Sequence, residues 1–154
     1  MKKFFVSALT LILFLVTGCG EAEKISVTEE KNISVQAEVG MKIKICIGEK
    51  IFDATLEDNE TTRELVKNFP LEIKMTELNG NEKYFRLGKN LPSADKKIDT
   101  IHSGDLMLWS SNTLVLFYKN FSTSYSYTRL GKIDNPTDLE KIVGSGNVSV
   151  RFEK

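Results

Sequence analysis

Apolar residues recur at every second position over several short stretches of the chain. Ile43, Ile45 and Ile47 alternate with Lys42 and Lys44, the period of a strand with one buried face. Gly48 and Glu49 supply turn chemistry, and Ile51 to Leu56 returns as the second arm of a hairpin. Asp58 or Asn59 can cap a short helix whose apolar face is Leu65, Val66 and Phe69 and which Pro70 stops. Leu71, Ile73 and Met75 alternate again, Asn79-Gly80-Asn81 predicts a tight turn, and Tyr84 to Leu87 reads as the returning strand.

Residues 88–102 hold few apolar side chains and include Pro92, Asp95, Lys96, Lys97 and Asp99, which predicts a long exposed loop. Leu106 to Trp109, the turn Ser110-Ser111-Asn112 and Thr113 to Tyr118 form a second hairpin. Its arms are nearly continuous in apolar residues, as in a closed barrel or a sheet covered on both faces. Asn135 before Pro136 predicts a helix starting at the proline, with Leu139, Ile142 and Val143 as its stripe and Gly144 closing it. Val148, Val150 and Phe152 alternate as a last strand. The expected fold is mainly β: a closed barrel of about eight short strands with two short helices, which leaves no exposed sheet edge.

The beginning of the chain reads differently. Lys2 and Lys3 precede an almost wholly apolar run from Phe4 to Val16, shorter than the about 20 residues that span a bilayer. This is the pattern of a secretory signal. It ends in Val16-Thr17-Gly18-Cys19, small residues before a cysteine that resemble the bacterial lipobox. In that signal the cysteine sulfur carries diacylglycerol and the chain is cut before it. The expectation is therefore a signal peptide over 1–18, lipid on Cys19, and anchoring at the cell membrane on its extracytoplasmic side, since two acyl chains hold where one is marginal. The competing reading is a plain signal peptide whose cut site precedes a cysteine. Residues 20–40 are polar with scattered apolar residues and read as a disordered tether, leaving 41–154 as the folded domain.

Composition narrows the function classes. The whole chain has 21 basic and 21 acidic residues, so nothing points to nucleic acid. Removing residues 1–18 takes away Lys2 and Lys3 and no acid, leaving a small negative excess. With Cys19 lipidated, only Cys46 remains, so no internal disulfide is available. Cys46 falls out of phase with Ile43, Ile45 and Ile47, on the polar face of its strand or in a second packed layer. One histidine and scattered acids give no metal-ligand cluster, and no glycine-rich phosphate loop occurs. No cofactor is expected.

Several blocks carry a family resemblance. His102-Ser103-Gly104-Asp105-Leu106-Met107-Leu108 resembles the cyclophilin strand that opens with a His-Thr-Gly element, and Asn112 to Tyr118 resembles the phenylalanine-rich strand after it. Leu130-Gly131-Lys132-Ile133, the short helix, Gly144-Ser145-Gly146 and the closing strand resemble the cyclophilin ending. From Met41 on, the chain resembles the bacterial cyclophilin-like domain family more closely, through Leu56-Glu57-Asp58-Asn59, the block from Glu77 to Tyr84 and the block from Phe121 to Tyr127. The resemblance implies an eight-stranded barrel with helices at its ends. It does not imply prolyl isomerase activity. The Arg-x4-Phe-x2-Gln spacing of true cyclophilins is missing; the arginines are Arg63, Arg86, Arg129 and Arg151, and Gln36 is the one glutamine. Isomerisation needs a positioned cation and dipoles that favour the twisted amide. The resemblance leaves a non-catalytic binding domain as the first reading, with a small molecule, a peptide or a protein as its partner. A prolyl isomerase with a divergent site, or an accessory module of an exported flavodoxin-like redox protein, are the alternatives.

The most suggestive residues are aromatic. Phe117, Tyr118, Phe121, Tyr125 and Tyr127 are interleaved with serine and threonine, and tyrosine offers an apolar body with a polar tip. Arg129, two residues past Tyr127, shares its face on a regular strand. Trp109 ends a strand just before a turn, where tryptophan can anchor a ligand or pack the rim. The candidate ligand-binding set is Trp109, Tyr118, Tyr125, Tyr127, Arg129 and His102. The last reads in the first place as a structural hydrogen-bonder at the loop exit, because Ser103 and Asp105 lie too close in sequence to complete a triad with it.

Overall fold

The computed structural model describes residues 40–154; the expected signal peptide, Cys19 and nearly all of the expected tether lie outside the described residues. β1 (Met41–Ile47) and β2 (Lys50–Leu56) form the first hairpin, and α1 (Glu60–Leu65) follows. β3 (Leu71–Leu78) and β4 (Glu82–Arg86) form the second hairpin around Asn79 and Gly80, both at positive φ, the geometry that tight hairpin turns require. Two short strands come next, β5 (Lys96–Lys97) and β6 (Thr100–Ile101). β7 (Asp105–Trp109) and β8 (Thr113–Phe117) are the third hairpin, turning at Ser110 and Ser111. β9 (Phe121–Ser122), β10 (Ser126–Ile133), α2 (Leu139–Val143) and β11 (Val148–Glu153) complete the chain.

The barrel order is β2-β1-β11-β3-β4-β8-β7-β10, and β10 pairs back onto β2 through Gly131, Lys132 and Ile133. Every neighbouring pair around the ring is antiparallel. The barrel is thus closed, as its hydrophobic alternation predicts. The first core lies inside it, with Ile45, Leu56, Met75, Leu106, Leu108, Leu114, Leu116 and Phe152 among its buried members. Removing this much apolar surface from water, at about 25 cal/mol per Å², is what holds a domain without a disulfide together. Cys46 takes the first of its two expected positions. It lies on the outer face of β1, partly buried, opposite Arg151.

Asn59 is the cap of α1. Its Oδ1 accepts the Thr62 N–H at 2.9 Å while the Thr62 hydroxyl accepts the Asn59 N–H at 3.2 Å. The second helix departs from expectation. It begins at Leu139, not at Pro136, and Asp138 before it sits at φ +65 with no side-chain cap. The reason is local: the Asn135 side chain closes a turn on itself by accepting from the Thr137 N–H and hydroxyl at 3.1 and 2.7 Å. The chain then swings at Asp138 so that Leu139 and Val143 enter the core.

The segment 88–102 departs more. It is no exposed loop throughout, because Leu91, Ile98 and Ile101 are buried. Leu91 joins the barrel interior, while Ile98 and Ile101 lie over the outer wall of the barrel with Met107, Val115, Phe117 and Tyr127 in a second core. Backbone bonds hold the segment down: Leu91 N–H to the Ser111 carbonyl at 2.8 Å, and Ile98 N–H to the Tyr125 carbonyl at 3.2 Å. This cover explains the unbroken apolar runs of β7 and β8. Leu106 and Leu108 face one core, and Met107 faces the other.

Candidate functional site

The antiparallel register of β4 and β8 decides which side chains share a face. Glu82 lies opposite Phe117, Tyr84 opposite Val115 and Arg86 opposite Thr113, all on the outer wall, while Lys83 and Phe85 alternate to the inner one. Beyond them, Trp109 lies opposite Thr113 on β7. The chain between β9 and β10 brings Tyr125 over this wall. The result is a groove of about 340 Å³ whose sides are Trp109, Tyr125, Tyr127 and Tyr84, with Val115 beneath and Leu78 at the edge. Its volume falls at the lower end of ordinary small-ligand sites.

Trp109 and Tyr125 are 43% and 63% exposed, large apolar groups left in water at the mouth. Tyr127 is buried and packs edge-on against Phe117 at 5.6 Å. Burial, then the charge of Glu82, pushes the Tyr127 phenol up to about 12. The charged residues of the lining are Glu82 and Arg86. Glu82 is 9% exposed, and burial followed by the Glu77 carboxylate pushes its carboxyl up to about 7.

The sequence-derived candidates separate. Trp109, Tyr125 and Tyr127 meet in this groove. Arg129 does not line it. Register keeps Arg129 on the outer wall opposite Met107, but its strand shifts immediately afterwards, and Arg129 borders another cavity of about 200 Å³ with Asn59, Thr61 and Lys96. Tyr127 borders both cavities. Tyr118 points elsewhere: its hydroxyl donates to Glu77, both carboxylate oxygens lying at 2.9 Å, near the end of the barrel. Burial, then that hydrogen bond, pushes its phenol up to about 12. His102 is exposed and away from the groove; its backbone N–H donates to the Asp105 carboxylate at 2.9 Å, a loop-exit contact.

Sequence reasoning missed Glu82, Tyr84 and Arg86. Their signal was present as strict alternation on β4, yet that face reads as solvent-facing until the second core is known to cover part of it.

A family profile described as the cyclophilin-like family matches residues 45–153. No curated protein matches the chain. Among solved structures, it is similar to the solution structure of the hypothetical protein AF2241 from Archaeoglobus fulgidus. The TM-score is 0.56 at 20% identity, covering 77% of this chain and 98% of that one. A likeness at that identity speaks for the fold alone. The profile extends from the middle of β1 to the end of β11, the whole circuit of the closed barrel, and the chain belongs to the cyclophilin-like family.

Proposed function

We propose that this protein is a lipid-anchored, extracytoplasmic binding domain whose groove between Trp109, Tyr125 and Tyr127 holds a small molecule or a peptide side chain with an apolar or aromatic body. The observation that carries the reading is the pair of large exposed aromatics poised over a buried tyrosine and valine, an apolar face that no other described residue covers. The groove lining holds no histidine or cysteine, which supports binding over nucleophilic chemistry. The charge and spacing of the first nineteen residues support the anchor.

A thermal-shift screen followed by titration tests the groove. Trp109→Ala with Tyr125→Ala is expected to weaken a hit by tenfold or more, since each aromatic contact contributes about 1 kcal/mol. Arg129→Ala should leave it within twofold. Unchanged affinity in the aromatic pair would remove the reading. The anchor is tested separately: Cys19→Ala is expected to move the protein out of the membrane fraction and abolish incorporation of labelled fatty acid, and a variant still labelled and sedimenting refutes the lipid site.

One observation favours a divergent prolyl isomerase. The groove lining includes a guanidinium, Arg86, and a carboxamide, Asn79. They stand at opposite ends, however, because Asn79 is in the turn beside Glu82 and Arg86 is four residues further along β4. Groups so placed do not converge on one twisted amide. The expected rate of proline isomerisation is that of buffer, and a measurable acceleration lost in Arg86→Ala would establish the alternative.

A further inference from the structure

The groove contains a carboxyl group that no described residue pairs with. Glu82 is nine-tenths buried and lines the groove, yet no described residue donates a hydrogen bond to its carboxyl. The groups around it make its charge harder to hold, not easier. Glu77 on β3 is a like charge, Tyr127 on β10 and Tyr118 after β8 are neutral phenols, and Tyr84 follows on the same strand. The nearest cation in sequence, Lys83, alternates to the inner face and is bound to Glu77. Arg86 is four residues along the strand, about 13 Å between Cα atoms. It is exposed, and no ion pair or hydrogen bond joins it to Glu82.

Its oxygens still reach solvent through the groove, but a carboxylate this largely enclosed and without a cation is costly to ionise, and a ligand that brings a cation into the groove would relieve that cost. Trp109, Tyr125 and Tyr127 line the same groove, and aromatic rings favour positive charge over negative on their faces. Resting on the binding reading above, we infer that the ligand is an organic cation, a protonated amine on an apolar or aromatic body, with its ammonium on Glu82 and its body between the aromatics.

The inference fixes a pH dependence. Only the ionised carboxyl pairs with an ammonium, and Glu82 ionises near pH 7, so affinity rises as pH rises through that value. Ionisation goes from about one part in ten at pH 6 to about nine in ten at pH 8, which predicts binding roughly tenfold tighter at pH 8.

The test uses 2-phenylethylamine against its neutral counterpart 2-phenylethanol, followed by the fluorescence of Trp109, the single tryptophan of the chain. At pH 8 the amine is expected to bind about tenfold more tightly than the alcohol, as charge-assisted hydrogen bonds do. The preference should fall at pH 6 and disappear in Glu82→Gln. Equal binding of amine and alcohol at pH 8, or a preference that survives Glu82→Gln, overturns the cation assignment. If Trp109→Ala with Tyr125→Ala, read by calorimetry, still weakens the alcohol, the groove itself stands. Binding of neither probe overturns both.

Discussion

Replacing Lys83 with methionine should cost about 3–5 kcal/mol of folding stability, read as the shift in a urea unfolding curve, although the new side chain has nearly the same volume. Lys83 is wholly buried. It sits opposite Leu116 and Glu77 on the inner face at one end of the barrel. Its Nζ donates to the Glu77 carboxylate and to the carbonyls of Gly144 and Gly146 at 2.7 Å each. The ammonium lies 5.2 Å from the centre of the Tyr118 ring. Glu77 in turn accepts from Tyr118 and from the Gly80 N–H at 2.8 Å. Burial pushes the Glu77 carboxyl up, but Lys83, Tyr118 and the Gly80 amide outweigh it, so its pKa falls below the ordinary carboxylate range.

Methionine would leave that carboxylate without its cation and two carbonyls without a donor. It would also release the loop between α2 and β11, so amide exchange should accelerate around Ser145 and Asn147. Adding Glu77→Gln to the variant removes the uncompensated charge and should recover part of the loss. A Lys83→Met protein within 1 kcal/mol of the wild type would show the network to be dispensable.

Gly131→Ala should be about as damaging, roughly 4 kcal/mol from steric overlap and backbone strain together. Gly131 is at the seam of the barrel, paired to Leu106 on one side and Leu56 on the other. Its φ is +153, and a methyl there would stand 2.2 Å from the Thr55 carbonyl oxygen and 2.7 Å from the Leu56 Cα. Both obstacles are backbone, so neither can swing aside, and relief requires opening the β2–β10 contact. Gly48→Ala is the natural control. It also has positive φ, +58, but nothing lies within 4 Å, so its cost should be about 1 kcal/mol of backbone strain alone. If Gly131→Ala is insoluble while Gly48→Ala folds, the seam argument holds; equal unfolding midpoints for the two would defeat it.

Much of the fold was legible because strands announce themselves locally. The Ile43, Ile45, Ile47 alternation and the Asn79-Gly80 turn are properties of adjacent residues, and β1, β2, β3 and β4 follow from them. The helix start at Leu139 was not legible from capping statistics, because Asn135 spends its side chain on its own turn. The segment 88–102 misleads in another way. Three buried residues, Leu91, Ile98 and Ile101, are too few to show a period, and each packs against strands distant in sequence.

The candidate site divides along the same line. By itself the amino-acid sequence determined the strand spacing, the closed mainly-β class, and the presence of tyrosines and a tryptophan near the second half of the barrel. Tertiary structure alone decided that Trp109, Tyr125 and Tyr127 meet Glu82 and Arg86 in one groove that Arg129 does not line, and that Lys83 is a buried strut and not a surface charge. The physical reason is register. Side-chain alternation is written into each strand, but which strand lies beside it, and where the ladder shifts between Arg129 and Gly131, is set by closure of the whole ring.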